Sequence, residues 1–88
     1  MRPAQHQSGI TGFEAADALF ASALQRSQAP STDQVRQAVD AAVRAFGYSG
    51  CVGRVAQEFG DHPETAAARM RWARETLAGL ALRVRLAA

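Results

Sequence analysis

Helix punctuation divides this chain at three places: Gln28-Ala-Pro30 running into Ser31-Thr-Asp-Gln34, Gly47-Tyr-Ser-Gly50, and Gly60-Asp-His-Pro63. Between these breaks apolar residues recur at three- and four-residue intervals, the spacing that gathers side chains on one face of an α-helix. The pattern predicts an all-α fold, a small four-helix domain whose last helix is long.

Each break has its own chemistry. Thr11-Gly-Phe-Glu14 has capping-box spacing, in which each side chain satisfies a backbone N–H of the first turn. The helix it starts should turn Phe13, Ala16, Phe20, Ala23 and Leu24 inward and end at Gln28 to Pro30. Ser31 or Thr32 caps the second helix with Gln34 as reciprocal partner, and Asp33 lies near the positive end of the helix dipole. Val35, Val39, Ala42, Val43 and Phe46 form its apolar stripe, and Gly47 is placed for a left-handed C-terminal cap.

A short third helix should carry Val52, Val55, Ala56 and Phe59 on one side and close at Gly60. The last helix has two competing starts: Asp61 paired with Glu64, or His62 as cap with Pro63 in the first helical position. It is expected to run to about Leu86, with Gly79 as the one residue that disfavours it.

The chain's 88 residues suffice for one domain with a single small core. Residues 1–10 show no periodicity and are expected to form a disordered tail, leaving 11–88 as the helical domain. Many of the apolar residues are alanine, which fills space poorly. The core must therefore rest on Phe13, Phe20, Phe46, Phe59, Met70 and the Leu and Val positions, and self-association would help it.

The formal charge of +2 is too small to imply a nucleic-acid partner by itself, although all 10 basic residues are Arg. Their distribution is uneven: from Thr65 onward Arg69, Arg71, Arg74, Arg83 and Arg85 face Glu75 alone. Cys51 has neither a disulfide partner nor a second metal ligand beside it, and reads as a small buried residue. The first ten residues lack the apolar segment of a leader, and no apolar run approaches the roughly 20 residues of a membrane span. A cytoplasmic protein is expected.

The last helix carries three strips. Ala66, Met70, Ala73, Leu77, Leu80, Ala81 and Val84 fall on one side and should pack on the rest of the fold. Trp72, Leu82 and Leu86, with Gly79 between them, project elsewhere and form a candidate partner or homodimer interface. Arg71, Arg74 and Arg85 line a basic strip with Ala67 and Ala78.

Ala56 and Gly60 stand four residues apart, just before the break. The stretch Ala56-Gln-Glu-Phe-Gly-Asp-His-Pro-Glu-Thr65 resembles the helix-turn-helix superfamily of bacterial DNA-binding regulators, over residues 52–72. That resemblance implies a transcriptional regulator or DNA-binding accessory. Thr65 and Arg71 would reach base edges and Arg69 and Arg74 would reach phosphates of duplex DNA. The chain departs from the pattern in placing Asp61 where the turn is usually apolar, and Arg69 where the recognition helix usually buries an apolar residue.

The alternative is a non-enzymatic helical protein-interaction module, an adaptor or partner-binding homodimer, that uses Trp72, Leu82 and Leu86. Catalysis is not expected. His62 with Asp61 and Glu64 is better employed in starting a helix than in a closed metal site of about four ligands. Gly47-Tyr-Ser-Gly-Cys-Val-Gly53 lacks the lysine of a phosphate-binding loop. No cofactor or metal is called for.

Overall fold

The computed structural model of the chain describes residues 14–87. Among them the fold is all-α, with three α-helices: α1 (Ala15–Ala21), α2 (Thr32–Asp61) and α3 (Pro63–Ala87). A single 3-10 turn, Arg26–Gln28, lies in the connection between α1 and α2. The expected tail, Thr11 and Phe13 lie outside the described residues.

Three helices replace the expected four because the break at Gly47 is one residue long. Gly47 alone departs from helical dihedrals, with φ 72 and ψ 171, while Tyr48, Ser49 and Gly50 are already helical. These angles differ from the left-handed cap expected there, because ψ is extended; the combination belongs to a region that is essentially glycine-only. The bend is sharp. The Cys51 thiol donates to the carbonyl of Ala42 at 3.6 Å, whereas a straight helix would set residues nine apart about 13.5 Å from each other. The Arg54 guanidinium lies 3.7 Å from the centroid of the Phe46 ring, so a cation–π contact also bridges the two arms of α2.

The second break is equally short. The His62 N–H donates to Glu58 at 2.7 Å, closing α2, while the His62 carbonyl accepts from Ala66 at 2.9 Å, opening α3. Pro63 is therefore the first helical residue, where its fixed φ suits the helix and its missing N–H is not needed. The break expected at Gly60 thus falls at His62. Gly60 is an ordinary helical residue, and Gly47 is the one glycine with positive φ among the described residues.

The helix α1 is shorter than the periodicity predicts, ending at Ala21. Ser22 explains part of this. Its hydroxyl donates to Leu19 at 2.6 Å and accepts from the Leu24 N–H at 3.2 Å, offering the backbone an alternative to another helical turn. Gln25 and Gln28 then close the 3-10 turn through a 2.6 Å bond from the Gln25 N–H to the Gln28 side chain.

Seven residues are too few for a helix to stand alone, so α1 exists through what covers it. Ala16, Leu19 and Phe20 join Val35 of α2 and Ala66, Met70 and Ala73 of α3 in the larger core cluster. Ala18, on another side of α1, joins Ala42 and Cys51 in a second cluster at the bend of α2. Among the described residues the largest fully buried side chains are Leu19, Val35 and Cys51. The start of α2 is well formed. The Ser31 hydroxyl accepts from the Gln34 N–H at 3.2 Å and the Gln34 side chain accepts from the Ser31 N–H at 2.7 Å.

Candidate functional site

The helix α3 places every residue singled out in the sequence for binding. It turns them in different directions. Ala66, Met70 and Ala73 are buried against α1 and α2, and Leu77 and Leu80 pack on the same cluster. Ala81, expected on this face, is exposed. The remaining positions fall on two flanks of this buried stripe and on the surface opposite it.

Thr65 and Arg69 lie on one flank. They line a cavity of about 380 Å³ with Phe20, Arg54, Gln57 and Glu58, between the end of α1, the second arm of α2 and the first turns of α3. Thr65 is exposed at its mouth. Arg69 is turned inward: Nε donates to the Phe20 carbonyl at 2.8 Å, and one terminal nitrogen donates to Leu24 at 2.9 Å and Ser22 at 3.0 Å, with a longer contact to Leu19 at 3.4 Å. Its carbon lies 5.1 Å from the Trp72 ring centroid and 5.8 Å from that of Phe20.

Arg69 therefore serves the C-terminal end of α1. The last carbonyls of a helix have no intrahelical donor and carry the negative end of its dipole, so a guanidinium fork satisfies both needs. Burial pushes the Arg69 pKa down from the ordinary arginine value. The side chain expected to reach a phosphate is held here by four carbonyls of its own chain.

Arg71 and Arg74 lie on the other flank, and both are exposed. Arg71 is rotated about 120° around the helix from Thr65, so the two proposed base-reading side chains do not share one narrow edge. Arg74 approaches the Glu14 carboxylate at 3.6 Å, with both side chains more than half exposed. A pair of that kind holds neither partner firmly.

The proposed partner face is divided as well. Trp72 is half-buried and packs against the larger core cluster, with the Arg69 guanidinium carbon 5.1 Å from its ring centroid. Leu82 and Leu86 remain outside at 53% and 76% exposure. Glu75 and Arg83 are exposed nearby, and Gly79 between them is partly exposed, with nothing within 4 Å of the position a Cβ would occupy.

Two arginine roles were missed in the sequence. The cue for Arg69 was present: it stands three residues after Ala66 and four before Ala73, on the edge of the buried stripe, at the site where the helix-turn-helix pattern expects an apolar residue. Arg54 gave no comparable cue, since its partner Phe46 lies across a bend that spacing alone does not reveal.

Cys51 is fully buried at the bend. Its thiol pKa is raised, chiefly by burial and next by the charge of Asp17, with Arg54 opposing. No group of three or more His, Cys, Asp or Glu side chains placed to hold a metal ion occurs among the described residues. No described helix is long and apolar enough to cross a membrane.

The described residues define an all-α protein built on a short, largely buried helix, a bent helix and a long helix that leaves Leu82 and Leu86 exposed. No protein-family model, curated protein or solved structure matches the chain.

Proposed function

We propose that this protein is a non-enzymatic helical interaction module of the cytoplasm, which associates with another helix through the outer face of α3. The observation that carries the reading is the exposure of Leu82 and Leu86, one turn apart on a helix whose opposite face is already packed. Large aliphatic side chains left in water on an amphipathic helix gain by burial at about 25 cal/mol per Å². Association has a second benefit, because burial at an interface adds apolar area to a small domain with few large, fully buried side chains among its described residues.

Sedimentation velocity of the wild type beside a Leu82→Ser, Leu86→Ser double variant tests this reading. The wild type is expected to sediment above monomer mass at high micromolar concentration. The variant is expected to be monomeric with an unchanged helical circular dichroism spectrum. Two monomeric species would overturn self-association through this face.

Duplex DNA is the second reading, and exposed Arg71, Arg74 and Arg85 on a common strip favour it. In that case Thr65, Arg71 and Arg74 carry the contacts, with Arg69 as a support for the fold. Binding would weaken steeply as salt rises, and Arg71→Ala with Arg74→Ala would lower both affinity and salt slope. Absence of a fluorescence-anisotropy change with labelled duplex at low salt would remove it.

A further inference from the structure

We infer that the partner helix is α3 of a second copy, lying antiparallel with the two-fold axis at Gly79; this rests on the reading of α3 as an association helix. The outer face is spaced for it. Ala68, Trp72, Glu75, Gly79, Leu82 and Leu86 follow one another at alternating steps of four and three residues, the repeat that keeps one seam facing a partner helix.

Gly79 fixes the centre. Glycine is a poor helix former, and a Cβ at this position would meet nothing within 4 Å among the described residues, so packing among them gives no reason for it. A second backbone crossing at the same point would use the space, since helices meeting through small residues approach to about 8 Å.

The two-fold axis then sets positions equidistant from Gly79 opposite each other, including Thr76 and Arg83 at the edge of the face. Trp72 meets Leu86 of the second copy, Thr76 meets Leu82, and Glu75 meets Arg83. Among the described residues Glu75 and Arg83 take no ion pair within their own chain. A parallel arrangement would set Glu75 against Glu75 and Arg83 against Arg83. Charge complementarity of this kind selects orientation more than it adds affinity.

Disulfide trapping and charge exchange test the arrangement on the full chain. In a Cys51→Ala background, Thr76→Cys and Leu82→Cys proteins are reduced, then oxidised each alone and as an equimolar mixture. The antiparallel pairing predicts a cross-linked dimer in the mixture and little from either alone. Efficient cross-linking of each protein with itself would overturn the antiparallel register while leaving association through α3 intact.

Glu75→Arg should weaken the dimer by about tenfold by placing like charges together twice, and adding Arg83→Glu should restore it. A Glu75→Arg dimer as tight as wild type would overturn the pairing. Gly79→Leu, which has room within the monomer, should dissociate the dimer without loss of helix content. A wild type that stays monomeric throughout would overturn this inference together with the reading beneath it.

Discussion

The Nε–H of Arg69 donates to the carbonyl of Phe20 across 2.8 Å, tying α3 to the end of a helix 49 positions earlier in the chain. With its bonds to Ser22 and Leu24, this contact closes the end of a helix too short to persist alone. Arg69 is thus the polar counterpart of the Leu19, Phe20 and Met70 cluster beside it.

Replacing Arg69 with Met keeps much of the side-chain length and removes the donors. Partly buried carbonyls left without partners make the expected loss about 2–3 kcal/mol by urea denaturation. Arg69→Lys keeps the charge but not the planar fork, and should recover less than half of that loss. Stability of the Met variant within about 0.5 kcal/mol of wild type would show that the guanidinium is not needed at this helix end.

Gly47 has φ 72 and ψ 171, and the space around its missing Cβ is open. The cost of Gly47→Ala is therefore torsional rather than steric, and should be about 1–3 kcal/mol in thermal or urea unfolding. A neutral substitution would mean that the two arms of α2 are not bent at this residue in solution.

Ser31 and Gln34 exchange hydrogen bonds at the start of α2. Ser31→Ala should cost about 1 kcal/mol, while Ser31→Asp, which keeps an acceptor near the positive end of the dipole, should cost much less. Equal losses for the two variants would rule out capping as the role of this hydroxyl.

Cys51 is buried with a raised thiol pKa, so the folded protein holds the proton more tightly than the unfolded chain does. Its contribution to stability is then complete below the ordinary thiol pKa and is lost as pH rises through the raised folded value. Alkaline unfolding should be blunted in Cys51→Ala relative to its own neutral-pH stability. In the native wild type the thiol should react slowly with a disulfide reagent and rapidly in denaturant; rapid reaction in the native state would contradict the burial.

Much of this architecture was legible because local chemistry and tertiary packing agree. The Ser31 and Gln34 cap, the Val35 to Phe46 stripe and the inward run Ala66, Met70 and Ala73 follow from spacing alone. The breaks at Gly47 and just before Pro63 were legible to within two residues but not in size, whereas the first helix ends at Ala21, well before the expected Gln28. A one-residue elbow at Gly47 and another at His62 do the work expected of longer turns, and glycine-rich sequence does not distinguish the two. The inward turn of Arg69 depends on α1 stopping at Ala21, a tertiary outcome, although its position beside the buried stripe hinted at it.

Trp72 is the chain's single tryptophan and lies on the α3 face assigned to association, so its fluorescence reports that face directly. In a dilution series from high micromolar to nanomolar protein, the emission maximum should shift to the red as the second helix leaves. The same shift should be complete at every concentration in the Leu82→Ser, Leu86→Ser variant. Emission that is independent of concentration and identical in the two proteins would contradict the claim that α3 binds another copy through this surface.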